Sequence, residues 1–416
     1  VEDPLNQLSF LEEAAEPEDR SSSGDFISAL TEFDEFGKET QIFEENGIKY
    51  YVNEYWTSGQ RKSHSIHEIS YRACFKAQLP EFFIKRLTKP GDVVHDPFMG
   101  RGTTPVQAAI MGRGASGNDI NPLAVLLTRP RLRAIDKGGI ERALAEIDLS
   151  GGEIQREDLL AFYHPQTLSQ LEALRTWLDR NAPIEEQEPD IAADWIRMIS
   201  LNRLSGHSPG FFSGRSMPPN QAVSIKAQLK INEKLGISPP VRDIKSIIRK
   251  KTKSLLRDGG PSRSSSYNLL VGNAWNTNGI PDRSVSLVVT SPPFLDIVQY
   301  AADNWLRCWF AGIDADAVKI AMHRTAEAWT EMVHNVLREQ ARILKSGGHV
   351  AFEVGEVRNK TVLLEELVWR AADGLPFEKL GVMVNDQEFT KTANCWGVDN
   401  GSKGTNTNRI VLLRRH

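Results

Sequence analysis

Gly91-Asp92-Val93-Val94-His95-Asp96-Pro97-Phe98-Met99-Gly100-Arg101-Gly102-Thr103-Thr104 decides the fold. It reads as a short buried strand, a glycine-rich turn and the start of an Ala-rich helix. Glycines in such a turn let the backbone come close to a ligand, and the N-terminus of the next helix favours electronegative groups. The third glycine of the dinucleotide fingerprint is missing. No Gly-Lys-Ser/Thr follows either, so this is not a phosphate loop. A second strand over 114–117 ends in Asn118-Asp119-Ile120-Asn121-Pro122. An acid about 20 residues beyond the turn is placed to hold ribose hydroxyls. The pair points to a nucleoside-type ligand with no demand for phosphate binding.

The strand–helix alternation resumes near the end of the chain. Residues 267–274 and 284–289 read as strands, and the second runs into Thr290-Ser291-Pro292-Pro293-Phe294. Two prolines remove backbone donors and fix φ, so they end the strand and stiffen its exit. That exit holds the Pro292 carbonyl at the carboxyl end of a strand, where open α/β sheets bind ligands. A fixed carbonyl, the Ser291 hydroxyl and the flat face of Phe294 suit a planar base with an exocyclic amine. The plainer reading is a structural Pro-Pro turn. Helices over 303–310, 326–344 and 363–373 follow, with strands over 349–354, 378–384 and 409–413. The last two strands are expected to form an antiparallel edge.

Residues 123–266 break the alternation and read as helices over 139–147, 166–181, 190–204, 222–235 and 241–256. The last carries Arg242, Lys245, Arg249, Lys250, Lys251, Lys253 and Arg257 against Asp243, with Ile244, Ile247, Ile248 and Leu255 as an apolar face. Such a helix is a solvated basic face or, in a nucleic-acid enzyme, a phosphate-contacting element. Near the start, residues 48–56 read as a strand. Residues 64–87 read as helical, with a stripe of Ala73, Ala77, Leu79, Phe82, Phe83 and Leu87.

A net charge of −4 gives no global attraction to nucleic acid, so any such binding needs a local basic face. Cys74, Cys308 and Cys395 lie far apart, which argues against a disulfide framework or a zinc knuckle and for a reducing compartment. His64 and His67 lack a third ligand nearby, so capping is expected rather than metal. No apolar run approaches a membrane helix, and Val1-Glu2-Asp3-Pro4 has no signal-peptide pattern.

The two quoted stretches resemble the S-adenosylmethionine-dependent amino-group DNA methyltransferases, which act on cytosine N4 or adenine N6. Asp96-Pro97-Phe98-x-Gly100-x-Gly102-Thr103-Thr104 and Thr290–Phe294 carry the resemblance. Asp119, Gly272-Asn273-Ala274 and Leu344-Lys345-x-Gly347-Gly348 support it, and Phe75-Lys76-Ala77 resembles the family's additional cofactor-side element. The resemblance implies a doubly wound, mostly parallel α/β sheet with an antiparallel edge strand, a Rossmann-like methyltransferase fold, plus a largely helical inserted domain. Four parts are expected: an acidic, poorly ordered arm at 1–45, a cofactor-binding half at 46–125, the helical insert at 126–266 and a catalytic half at 267–416. The loop around Asp96, Pro97, Phe98, Gly100, Gly102, Thr103 and Thr104 would surround the cofactor's methionine part. Asp119 and Ile120 would bind by its ribose, and Asn273 and Ala274 by its adenine, although many relatives carry an acid at the Asn273 position. Ser291 and the Pro292 carbonyl would bind the target amine, with Pro293 completing the motif and Phe294 stacked on the flipped base.

Ser-Pro-Pro is typical of the cytosine enzymes, so N4-cytosine is expected, with N6-adenine as the alternative and an RNA base methyltransferase as a further one. Carbon-5 methylation would need a cysteine nucleophile in a Pro-Cys setting, which is absent. The insert is the expected DNA-recognition region, through Arg249, Lys250, Lys251 and Lys253, with the loop 395–408 as a second candidate. Expected partners are S-adenosyl-L-methionine, double-stranded DNA and a cognate restriction endonuclease, with no membrane and no metal, in the cytoplasm of a prokaryotic cell or as a phage-encoded protein.

Overall fold

The computed structural model describes residues 23–56, 63–71, 74–216, 222–260, 266–293, 300–318, 323, 325–355, 362–386 and 407–416. In chain order, α1 (Ser23–Thr31) precedes the hairpin β1 (Gln41–Glu45) and β2 (Ile48–Asn53), then α2 (Gln78–Leu87), β3 (Val93–Asp96), α3 (Thr103–Ile110) and β4 (Gly114–Asp119). The helical stretch is α4 (Leu123–Thr128), α5 (Lys137–Glu146), α6 (Pro165–Asn181), α7 (Ile191–Arg203), α8 (Ile225–Leu235) and α9 (Ile244–Leu255). The chain then returns to the sheet with β5 (Tyr267–Val271), β6 (Val285–Thr290), α10 (Tyr300–Ala311), α11 (Ala326–Ile343), β7 (Leu344–Val354), α12 (Leu364–Ala371), β8 (Phe377–Asp386) and β9 (Thr407–Arg415).

The nine strands form one sheet in the order β1-β2-β8-β9-β7-β6-β3-β4-β5. From β7 through β6, β3 and β4 to β5 the neighbours are parallel. Each inner strand feeds both faces, as the period of two demands. Val350 and Phe352 of β7 pack with Trp329, Val333 and Val336 of α11 and Leu364 and Val368 of α12. Ala351 joins Phe83 and Ile84 of α2 and Ala108 of α3 on the opposite face. Burying side chains on both faces is what makes these strands read as continuous apolar runs.

Two expectations change at the β2 side of the sheet. β8 and β9 are antiparallel, but β9 lies between β8 and β7, so it is an inner strand. The antiparallel margin is β1, because the N-terminal hairpin adds β2 in parallel to β8. For the same reason the expected loose arm is docked from residue 23 onward. Phe26, Leu30 and Phe33 are buried against Tyr55, Phe82 and Phe83, an apolar patch that outweighs the acidic composition around it. Residues 1–22 of that arm lie outside the described residues.

The helix expected over 64–87 forms only as a single 3-10 turn at Ser65–His67 and then α2. Between them the backbone carbonyls are taken by guanidinium groups. Arg101 donates to Ile69 O at 2.7 Å and Phe75 O at 3.3 Å, and Arg307 donates to Ser70 O at 2.9 Å. Carbonyls held this way are lost to a helical ladder. Ala73 of the predicted stripe lies outside the described residues.

The helical insert shares its core with the rest of the chain. Trp195, Ile196 and Ile199 of α7 and Ile244 and Ile248 of α9 pack in one cluster with Leu126 and Leu127 of α4 and Leu306 and Phe310 of α10. Beneath it, Arg129 makes a two-pronged ion pair with Asp194, both bonds 2.8 Å and both residues buried. α3 meets α4 so closely that Gly102, at φ +76°, has no room for a side chain: a Cβ there would fall 2.2 Å from Thr128 Oγ1. Gly102→Ala should therefore lose about 2 kcal/mol or more of stability in urea denaturation, from overpacking and positive-φ strain together.

Two buried imidazoles set an acid-side limit on stability. His95 Nδ1 bonds Ser116 Oγ at 2.9 Å and His67 Nε2 bonds Gln107 Oε1 at 2.9 Å. Burial pushes both down to about 3. The unfolded chain therefore takes up these protons first, so the stability they protect is complete above about pH 6.5 and is lost as pH falls toward 3. The variant His95→Asn/His67→Gln keeps hydrogen-bonding groups in place without a titrating ring. Its loss of stability between pH 7.5 and 5.5 should be smaller than the parent's by roughly a kcal/mol per histidine, measured as the difference between two urea series.

Candidate active site

β3 and β6 are neighbours whose connections leave in opposite directions, β3 toward β4 and β6 toward β7. This is the topological switch point at which ligands bind beyond the carboxyl ends of the strands. An open cleft of about 940 Å³, mouth included, lies there. Asp96, Pro97, Phe98, Gly100 and Thr103 form one wall, Asp119, Ile120, Asn273 and Ala274 a second, and Ser291 and Pro293 a third.

One contact joins the two sequence signatures. Thr290 Oγ1 donates to Asp96 Oδ1 at 2.6 Å, and both residues are buried. The same carboxyl oxygen accepts from Phe98 N at 3.0 Å, which closes the turn after β3. Thr104, the second residue of α3, donates to Val289 O at 3.0 Å and ties that helix to β6. Burial pushes the Asp96 carboxyl up to about 7 against these hydrogen bonds, and the nearby Asp119 charge adds to the rise.

Asp119 ends β4. Its two carboxyl oxygens accept from Gly100 N and Asn121 N, each at 2.9 Å, so it ties the glycine turn to the next strand end. Burial raises this carboxyl too. Asn118 reaches the other way, donating to Gly272 O at 2.9 Å and so fixing the Gly272-Asn273-Ala274 corner after β5. Asn273 is exposed on the cleft wall and Ala274 is buried.

The exit from β6 is held on both sides. Trp329 of α11, almost fully buried, donates its indole N–H to Pro293 O at 2.9 Å. Glu353 of β7 is buried beside the exit and bonds the Ser291 hydroxyl, while Asn408 of β9 donates to Glu353 Oε1 at 2.9 Å. Burial holds the Glu353 carboxyl above its usual range. No hydrogen bond among the described residues uses the Pro292 carbonyl.

Several expected residues are placed differently. Lys76 is exposed and Ala77 is buried at the start of α2, and of that trio only Phe75 reaches the cleft. Gly102 and Thr104 support the wall from behind, through helix packing and the bond to β6. Of that exit, Ser291 and Pro293 line the cleft, and Pro292 is buried between them. Phe294 lies outside the described residues, as does most of the loop 395–408.

Tyr71, Cys74, Trp275 and Met332 also line the cleft and were missed. Met332 sits three residues from Trp329 on an amphipathic helix, a spacing that core residues share, so periodicity cannot separate the two roles. Glu353 had a usable signal, since it is an acid inside the apolar run Val350–Val354.

In α9 the basic residues are partly spent within the fold. Arg249 pairs with Glu141 at 2.7 Å, and Lys251 donates to Glu68 O at 2.6 Å with only 11% of its side chain exposed. Burial lowers the Lys251 ammonium to about 8. Lys250 and Lys253 are exposed. Among the described residues no group of three or more His, Cys, Asp or Glu could hold a metal ion, and no helix is long and apolar enough to cross a membrane.

Comparison with known proteins agrees with this geometry. Residues 14–128 match the DNA methylase family. The Type II methyltransferase M.MjaII of Methanocaldococcus jannaschii is 39% identical over 84 residues, which is 20% of this chain and 16% of that protein. M.BsoBI of Geobacillus stearothermophilus, also a Type II methyltransferase, is 23% identical over 317 residues, 68% of this chain and 58% of that protein. The chain thus spans less than two thirds of either relative. A Thermus thermophilus protein described as a DNA modification methylase, solved with S-adenosyl-L-methionine, is 22% identical over 35% of this chain and 54% of its own. Its TM-score of 0.23 is too low to carry an argument. The family match falls on the glycine-turn half, where the chain is similar to the DNA methylases, and both sequence signatures meet at one switch point.

Proposed function

We propose that this chain transfers a methyl group from S-adenosylmethionine to the exocyclic N4 amine of a cytosine turned out of duplex DNA. The observation that carries the reading is the Thr290–Asp96 hydrogen bond, which puts the glycine turn and the Ser-Pro-Pro exit on one cleft. The cleft suits a cationic nucleoside. Asp96 and Asp119 are two acids raised by burial, and neither forms an ion pair among the described residues. A ligand bearing ammonium and sulfonium charge would supply the missing partner. Bound there, S-adenosylmethionine supplies a methyl group made electrophilic by its sulfonium.

The chain's own residues do the rest by placement. Asp119, with one lone pair of each oxygen held by backbone N–H, offers the others to ribose hydroxyls. The ring delocalises the lone pair of an exocyclic amine, so acceptors on its hydrogens must hold the nitrogen closer to tetrahedral. Trp329 takes the Pro293 carbonyl and leaves the Pro292 carbonyl as one such acceptor. Ser291 Oγ is the other. When Glu353 is ionised it accepts the Ser291 O–H, which turns the oxygen lone pairs toward the amine. With the methyl passing from sulfur to nitrogen and the sulfur–methyl bond breaking, the amine proton would go to Ser291 Oγ while the Ser291 proton moves to Glu353. An aromatic plate for the flipped base is assigned to Phe294.

Cys74 is on the cleft wall, but burial pushes its thiol up and away from the thiolate that carbon-5 attack requires. The helical insert is the proposed DNA-recognition region, and a restriction endonuclease of the same specificity is the proposed partner in the cell.

Labelled methyl should move from S-adenosylmethionine to duplex DNA, and nucleoside mass spectrometry should find N4-methylcytosine. N6-methyladenine instead would overturn the weight placed on Ser291. Ser291→Ala should cut turnover by about 10²-fold or more while leaving cofactor affinity unchanged. Glu353→Gln should remove the acid limb of the rate–pH profile. A loss in both variants that matches a loss of cofactor binding would make the exit purely structural.

A second expectation concerns protons. Ligand binding beside Asp96, whose carboxyl sits at about 7, should favour its ionised form and release a proton. Calorimetry at pH 7 in buffers of different ionisation enthalpy should find that release, and Asp96→Asn should abolish it.

A further inference from the structure

We propose that the outer face of α8 is the surface that carries the phosphate backbone of duplex DNA, rather than the basic helix α9. α8 is anchored by polar groups. Gln228, its only fully buried side chain, donates to Arg215 O at 2.9 Å, and Asn232 donates to Ala161 O at 2.7 Å. The opposite face presents Lys226, Lys230 and Lys234, all exposed and none in an ion pair with a described residue. At i, i+4 and i+8 they stand in one row, about 6 Å per step and about 12 Å long. A DNA strand passes roughly three phosphates in that length of axis. Glu233 is the one acid within α8. A helix held by two amide side chains does not need this face to fold, so three uncompensated cations there are open to a polyanion.

The contrast with α9 is one of partial use, since Lys250 and Lys253 stay exposed and without an ion pair among the described residues while Arg249 and Lys251 are taken up. Its Arg249 is paired with Glu141, its Lys251 is capped by Glu68, and Arg257 beyond its end pairs with Glu68 and Asp258. Position favours α8 as well. Its leading residue Val223 accepts from the Trp305 indole of α10 at 3.3 Å, and α10 is the helix that follows the Ser-Pro-Pro exit. Arg307 of that helix also bonds Ser70 O, next to Tyr71 on the cleft wall. A duplex seated on α8 would therefore lie one element away from the site that takes its base.

The inference rests on the duplex-DNA reading above, and one experiment separates their failures. Binding of a labelled duplex and of S-adenosylmethionine is measured from 50 to 300 mM salt for the parent, Lys226→Gln/Lys230→Gln/Lys234→Gln, the matching triple Arg variant and Lys250→Gln/Lys253→Gln. The triple Gln variant should bind DNA about tenfold or more weakly at the lower salt, with the salt slope reduced by about 2 to 3. The triple Arg variant should keep the parent slope, the α9 variant should lose less than the triple Gln, and cofactor affinity should be unchanged in all. A triple Gln variant with the parent's slope overturns the assignment to α8 while methyl transfer still supports the reading of the site. Equal loss on single-stranded RNA also overturns it, since the face would then be a general polyanion surface. A parent chain that binds no duplex overturns both.

Discussion

The Thr290–Asp96 hydrogen bond is the constraint on which the site depends. It is a short bond between a hydroxyl at the end of β6 and a carboxyl at the end of β3, both buried. Open α/β sheets part their connections at such a point, and two strand ends that part are free to differ in height and direction. Here they are tied, so the glycine turn that follows β3 and the proline exit that follows β6 keep a fixed separation. The remaining contacts extend the same logic outward. Asp119 ties Gly100 to the third strand end, Asn118 ties the corner after β5, and Trp329 and Glu353 hold the exit from its far side. A positioning site needs this kind of preorganisation, because no covalent intermediate lowers its barrier.

Burial gives those contacts an electrical meaning. Asp96 and Asp119 line the cleft and Glu353 is buried behind its Ser291 wall, and desolvation raises each of the three. A protein does not spend three buried carboxyls near one opening on stability, since each loses hydration on folding. In the proposed function the cost would be offset by a bound cationic ligand and by a proton leaving through Ser291. Two acids would face the positive ligand, and the third would face the hydroxyl through which the proton leaves.

Much of this was legible in the sequence, for a physical reason. Glycine turns and prolines at strand ends are backbone features, and the backbone follows local residue type closely. Asp96, Asp119, Ser291 and Pro293, which the fold brings to one cleft, were singled out that way. The errors came from long-range choices. β9 is an inner strand because it inserts between β7 and β8, with the hairpin at residues 41–53 added beyond β8, and nothing in the strand's own residues encodes that. The stretch before α2 stayed unwound because Arg101 and Arg307 claim its carbonyls from 26 to 237 positions away. Phe26, Leu30 and Phe33 were hidden by the acids around them. Glu353 and Trp329 act through neighbours that only the fold supplies.

Basic helices show the same limit in its sharpest form. Counting charges along the chain favours α9, with its dense run of lysine and arginine. Space narrows that lead, because Arg249 and Arg257 already face Glu141 and Glu68 at the surface and Lys251 is tucked against Glu68. In a chain with a net charge of −4, attraction to DNA depends on where the acids are not. α8 has fewer cations than α9, but its row at Lys226, Lys230 and Lys234 is left uncompensated. An anionic partner responds to that local excess and not to the total.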